Sequence, residues 1–306
     1  MSGTAQTWRS AWEPLTPRGV AAFAGASVGR LLLVQLLVAA LAAASVVWFL
    51  ETAWFPVVRS AIHQLPAQGE ITGGRLNWSG ENSVQLAENR FLGVAVDLFH
   101  SGQLGREAHL QVEFGQEDLR IYSLPGYEVM EYPPDWTLPF NQAELEPWWG
   151  AWQPALLAGA AAMTALGLML AWTLLAAIYC APVRIVSFLE NRDLSWTQSW
   201  RLAGAAMLPG ALFLTAGVVC YTLGWMDLIR LGGMFALHFI IGWIYLFISP
   251  LFCPPRLEAR ALPANPFAAP AATGGPPARK KPASANPFAA TSEKNPESKV
   301  EEPPEK

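Results

Sequence analysis

Four stretches of the chain carry almost no polar side chain. Residues 31–50, LLLVQLLVAALAAASVVWFL, hold no charge, and Gln35 and Ser45 are their clearly polar groups. Twenty residues at a rise of about 1.5 Å match a hydrocarbon core about 30 Å thick. Residues 153–181, 202–225 and 231–251 repeat the pattern, the third interrupted by Pro209. Backbone groups in lipid must be satisfied within their own segment, so each run predicts a transmembrane helix. Pro209 removes a ladder bond and predicts a kink near one end of the third. Ala42-Ala43-Ala44 resembles a signal-peptide cleavage site. However, a 30-residue segment precedes the run, and the run continues to Leu50. A signal core is only about 7–15 residues long, so an uncleaved anchor is expected.

Between the first two spans the period changes. AWFPVVRSAIHQLPAQ extends the first helix to about Gln64. Then come short runs bounded by Gly, Asn or Pro: GEITGGRL, SVQLAEN, FLGVAVDLF, AHLQVEF and LRIYSLPGYEVMEY. In one of them Ala108, Leu110, Val112 and Phe114 alternate with His109, Gln111 and Glu113. That period of two marks half-buried strands. Residues 51–152 therefore read as a small antiparallel β domain in an α+β arrangement, with Asn141 to Trp152 returning as a helix. The fold class is an α-helical membrane protein: four transmembrane helices, one extracytoplasmic β-rich domain and a disordered tail.

Composition sharpens this picture. Hydrophobic residues make up 52% of the 306 and charged residues 14%, against about 25% charged in soluble domains. Mean hydropathy is +0.25. A net charge of −4 without a basic stripe argues against nucleic acid as a partner. Three cysteines in so long a chain exclude a disulfide scaffold. Residues 51–150 hold 14 acidic residues against five arginines, a net of −9. Arginine sets the orientation. Arg9, Arg18, Arg30, Arg184, Arg192, Arg201, Arg256 and Arg260 flank one side of the spans, and Arg59 and Arg230 the other. The positive-inside rule then puts both termini in the cytoplasm, with the acidic domain outside a cell inner (plasma) membrane. Trp48, Trp54, Trp148, Trp149, Trp152 and Trp225 mark the outer interface, and Trp196 and Trp200 the inner one.

Two cytoplasmic segments complete the layout beside the short N-terminal segment 1–30 and the outer turn 226–230. Residues 182–201 are amphipathic, with Ile185, Val186, Phe188 and Leu189 as an apolar patch, and suit a surface helix. Ser195 and Gln198 have capping-box spacing and predict a helix start. Residues 252–306 contain 12 of the 25 prolines and all five lysines, a composition that cannot offset backbone entropy. Within them Asn265-Pro266-Phe267 and Asn286-Pro287-Phe288 repeat in identical Ala-rich surroundings. Two readings stand: a bivalent recruitment motif for a protein partner, or a duplication without function.

Candidate chemistry is sparse. His63, His100 and His109 with Asp97, Glu107 or Glu113 offer metal-ligand types but no recognised ligand spacing, so no metal and no cofactor is expected. Asp97 and the Glu117-Asp118 pair are candidate acid–base carboxylates, read as a solvated face in so acidic a region. No G-x-S-x-G, C-x-x-C or P-loop occurs. Within the spans His238 is the ionisable side chain that titrates near physiological pH. It reads either as an intramembrane functional group or as a neutral interhelical donor. Ala203, Gly210, Gly217 and Gly224 recur every seven residues and predict a helix-packing seam, within one chain or between copies in a homo-oligomer.

The segment entering the third span, Ser195-Trp-Thr-Gln-Ser-Trp-Arg-Leu-Ala-Gly-Ala-Ala-Met-Leu-Pro209, resembles the corresponding entry in the DUF1189 group of bacterial membrane proteins, related to the Yip1 family. One anchor, an external domain and three further spans also resemble that group's layout. The resemblance implies a membrane-organising or trafficking role and no enzymatic activity, and it transfers no site residue. The expectation is a non-enzymatic binding, sensing or scaffolding protein in the bilayer. The alternative is a component of a transporter or permease bundle.

Overall fold

In a computed structural model of the chain, residues 15–102, 104 and 107–255 are described. Helix α1 (Pro17–Ala22) starts on Thr16, whose hydroxyl accepts from Gly19 N. Helix α2 (Val28–Phe49) starts on Ser27, which accepts from Arg30 N at 3.2 Å. A π turn over Leu50–Trp54 joins α2 to α3 (Phe55–His63). Val28–His63 is thus one rod of 36 residues.

Helix α4 runs from Gln142 to Leu189, 48 residues, capped by Asn141 on Glu144 N. At 1.5 Å per residue it is about 70 Å long, twice the depth of a hydrocarbon core. Pro147, Pro154 and Pro182 lie inside it. Residues 182–201 were expected as a separate amphipathic segment along the inner surface, but their first eight residues continue α4 to Leu189. One proline removes one ladder bond, and a residue tolerant of left-handed backbone comes only at Asn191, where φ is 54°. Helix α5 (Trp196–Ala206) begins at Ser195 with both bonds of a capping box. The chain breaks at Met207, two residues before Pro209, and resumes as α6 (Leu208–Thr222). Helix α7 (Leu228–Ile248) is capped by Asp227. Among the described residues, four helical segments are long and apolar enough to cross a membrane. The tail residues Asn265, Pro266, Phe267, Asn286, Pro287 and Phe288 lie outside the described residues, as does the rest of the tail from residue 256.

Eight described strands form two sheets. One is antiparallel: β1 (Gly69–Thr72) between β2 (Arg75–Trp78) and β8 (Thr137–Pro139). The other has the order β3 (Ser83–Glu88), β4 (Leu92–Asp97), β5 (Leu110–Phe114), β6 (Asp118–Ser123), β7 (Gly126–Glu131). An antiparallel domain was expected throughout, but β4 and β5 are parallel, with Leu92 opposite Leu110 and Val96 opposite Phe114. Parallel neighbours need a crossover of a dozen or so residues, and residues 98–109 supply it.

Three apolar clusters hold the unit together. One packs α1, α2, α4 and α5 through Phe23, Leu31, Val183, Leu202 and Leu208. Gln35 crosses it, fully buried, and donates to Gly204 O at 3.2 Å. The second packs Val57, Ala61 and Leu65 against Ile71, Leu86, Val94, Val96 and Phe140 of the sheets. The third joins Ala53, Phe91 and Tyr221 where the β region meets the helices.

Candidate functional site

The five-stranded sheet has two unlike faces. Alternation sends Leu92, Val94, Val96, Leu110, Val112 and Phe114 into the apolar cluster beside α3. The opposite face carries Asp97, Gln111 and Glu113, each no more than 2% exposed. Described residues of the connection from β4 to β5 meet two of these groups. Asp97 Oδ2 accepts from Ser101 Oγ at 2.9 Å and from Gly102 N at 3.3 Å. His100, in left-handed backbone at φ 50°, turns its ring onto the sheet. Its Nδ1 lies 2.5 Å from Glu113 Oε1, and its Nε2 meets Asp118 Oδ1. One imidazole therefore bridges two carboxyl groups, one at each ring nitrogen. Arg120 Nη2 adds a contact to Asp118 Oδ2 at 3.3 Å. Nearby, the half-buried Tyr132 donates its hydroxyl to Gly115 O at 3.1 Å. Burial first, and Asp118 second, push its pKa upward.

This face opens at one end into a cleft of about 700 Å³. Its walls are the β6–β7 hairpin, with Tyr122 and Tyr127, and the start of α7, with Asp227 and Ile229. Gln111 and His109 form its floor side. The two tyrosine rings stand 5.6 Å apart, tilted by 37°. Gln111 Nε2 has no hydrogen-bond partner among the described residues.

Beside the cleft the β region grips the turn between α6 and α7. Arg90 donates from Nη1 to Gly224 O at 2.9 Å and from Nη2 to Met226 O at 3.0 Å. Those carbonyls are exposed by the end of α6, where Gly224 sits at φ 78°. His109 Nδ1 lies 2.7 Å from the Tyr221 hydroxyl, and the two rings stack at 22°. Phe91 meets Tyr221 edge to face at 5.0 Å. Asn89 Nδ2 donates to Ala53 O, in the π turn, at 2.6 Å, and a π turn is a common device at functional positions.

Burial, aided by Arg90, lowers the His109 pKa, and Asp227 partly opposes them. The docked junction thus holds neutral imidazole. Undocked, the ring titrates near 6.5. Full junction stability is present above pH 6.5. As pH falls from there through the lower docked value, the undocked form binds the proton first and stability declines. Arg90, Asp227 and Tyr221 are the charged and titratable groups that face this ring. Protection against hydrogen exchange at residues 88–92 and 223–227, corrected for the intrinsic rate at each pH, is expected to fall below pH 6.5, and His109→Gln to remove that dependence. An unaltered pH response in His109→Gln would assign it to another group.

The other candidate residues are dispersed. His63 faces Glu146 at 3.7 Å on the surface. Glu117 pairs with Arg75 at 2.5 Å while its neighbour Asp118 turns to His100, so the adjacent carboxyls do not form a couple. Among the described residues no group of three or more His, Cys, Asp and Glu is placed to hold a metal. Ala203 is fully buried. A Cβ at Gly210 would strike the His238 carbonyl, and one at Gly217 would meet Met234 Sδ at 2.9 Å. Gly224 instead ends its helix and lies under Arg90. His238 Nδ1 faces the carbonyl of Phe235 in its own helix. The ring borders an apolar cleft of about 200 Å³ with Thr215, Trp172 and Trp243.

Arg90, Gln111, Tyr122, Tyr127 and Tyr221 carried no signal in the sequence that singled them out. Gln111 and Glu113 occupy the polar phase of an alternating strand, which locally reads as solvated.

No family model, curated protein or solved structure matches this chain.

Proposed function

We propose that the chain is a non-enzymatic binding and sensing protein of the cell inner membrane. Its β region lies outside, its termini lie in the cytoplasm, and the tail recruits a partner. The observation that carries this reading is the seat of the β region on the α6–α7 turn. Arg90 holds that turn, and His109, which borders the cleft, meets Tyr221 in the last turn of α6. A ligand entering the cleft would press on Asp227 and Ile229 and so bear on α7 directly. Binding that favours one seating of the turn shifts the helices by its differential affinity for the two seatings. The likeness of the α5 entry to DUF1189 proteins adds support for a role without chemistry.

Orientation is the first test. Leu124, at the exposed hairpin tip, is replaced by cysteine in a chain whose Cys180, Cys220 and Cys253 are changed to serine or alanine. A membrane-impermeant maleimide is expected to label Leu124→Cys in intact cells. Labelling only after permeabilisation would reverse the topology and end the sensing model. A second reading, a component of a transporter, draws on the cleft beside His238. It requires solute flux that falls in His238→Ala while insertion is retained.

A further inference from the structure

We infer that the cleft between the polar face of the five-stranded sheet and the α6–α7 turn binds an uncharged polyhydroxylated ligand, a short glycan. This rests on the reading of the β region as a binding module and names its ligand class.

The volume comes first. About 700 Å³ lies within the range of small-molecule sites, and far above the space one water needs. The walls come second. Gln111 is 2% exposed, lines the cleft and leaves its amide nitrogen unpartnered. Folded proteins rarely leave such a donor idle, so a ligand acceptor in the cleft is its natural complement. Tyr122 and Tyr127 continue the row on the same face, Tyr122 being the register partner of both Gln111 and Tyr127, and Tyr127 is 63% exposed.

Charge then selects among ligands. The described charged groups around the cleft already face opposite charge. Arg120 meets Asp118, Asp118 and Glu113 meet His100, and Asp227 meets Arg230. Among the described residues, neither an anion nor a cation finds an uncommitted counter-charge in the cleft. What remains are amide and imidazole groups, the spare N–H groups of Arg120, and two aromatic faces. A sugar matches that set, because its hydroxyls both donate and accept while its C–H faces lie on aromatic rings. A phosphate or carboxylate approaching Arg120 would also meet the like charge of Asp118, which Arg120 already faces. Leu124, Leu228 and Ile229 form an apolar lip beside the cleft. A free oligosaccharide and the head of a glycolipid share the required chemistry, and the lip bears on which of them enters.

The test uses the full chain in nanodiscs of zwitterionic phospholipid, prepared without sugar-based detergent. Probes are chitotriose, cellotriose and maltotriose, each free and as the head of a glycolipid in vesicles, with phosphatidylglycerol vesicles as the anionic control. Saturation-transfer NMR and calorimetry read binding. At least one neutral probe is expected to bind, with affinity reduced tenfold or more in Gln111→Leu and in Tyr127→Ala. Gln111→Leu removes an unpartnered donor, so its Tm is expected to stay level or rise. That separates a ligand contact from a structural one, because a structural Gln111 would lower Tm on replacement. Preference for the lipid-borne probe would identify a glycolipid, and equal binding a free glycan. Three outcomes overturn the inference: no neutral probe binds, binding is unchanged in both variants, or only the anionic vesicles bind. Failure here with Leu124→Cys labelled from outside removes the ligand class and leaves the sensing model. Labelling from inside removes the model itself.

Discussion

His100→Ala is expected to cost the β region about 3–5 kcal/mol, the range for removing one partner from a buried ionic cluster. The ring sits between Glu113, whose side chain is 2% exposed, and Asp118, at 17%. Without it, two carboxyls share a space with little water, and Arg120 reaches only Asp118. The backbone adds a smaller increment, since alanine is poorly suited to φ 50° while asparagine tolerates it. His100→Asn therefore separates the two contributions, restoring the backbone preference without bridging both carboxyls. Glu113→Gln in the His100→Ala background removes the stranded charge and is expected to recover part of the loss, a coupling that a double-mutant cycle measures. Chemical denaturation followed by near-UV circular dichroism reads all five proteins: the wild type, His100→Ala, His100→Asn, Glu113→Gln and the double variant. A loss below about 1 kcal/mol in His100→Ala would mean that the cluster is solvated and that the crossover does not seal this face. Domain stabilities of about 5–15 kcal/mol make the expected loss a large part of the margin.

Gly210→Ala is expected to be the most damaging small change in the helices. The new methyl would collide with the backbone carbonyl of His238. Backbone in the middle of α7 cannot step aside, so α6 and α7 must separate, and overpacking of this kind costs about 1–3 kcal/mol. Gly217→Ala meets Met234, whose Sδ and Cε lie 2.9 and 3.0 Å from the new atom. An unbranched thioether can change rotamer, so the cost should be smaller. Gly159 and Gly167 have nothing within 4 Å, and alanine there gains up to about 1 kcal/mol of helix propensity. Thermal unfolding in nanodiscs should order the variants with Gly210→Ala lowest, then Gly217→Ala, then Gly159→Ala. A harmless Gly210→Ala would disprove the close approach of α6 to α7.

The seven-residue spacing of small residues on the third span shows how far a local pattern reaches. It marked Ala203, Gly210, Gly217 and Gly224 alike, because spacing records a stripe and not its neighbours. The structure distinguishes them by what each faces: a buried core, a carbonyl, a flexible methionine, and a helix end held by Arg90. Gly204, one position from the stripe, carries the carbonyl that receives Gln35. No spacing rule singles it out, since its partner lies 169 residues away.

Apolar run length was enough to place four membrane-length helices, because hydrocarbon-scale burial is a property of contiguous residues. Short runs bounded by turn residues placed β1 to β7 for the same reason, though not β8 (Thr137–Pro139), and capping-box spacing placed the start of α5. Strand partners were a different matter. A period of two is identical in parallel and antiparallel ladders, so the β4–β5 pairing depended on where residues 98–109 cross. That crossover also decided the chemistry. Its described residues Ser101 and Gly102 bond Asp97, and His100 reaches the carboxyls of Glu113 and Asp118, so groups that read as solvated in sequence are buried. The grip of Arg90 and His109 on the α6–α7 turn spans more than a hundred residues. Burial and pairing across such separations are set by packing of whole elements, and only the tertiary structure decides them.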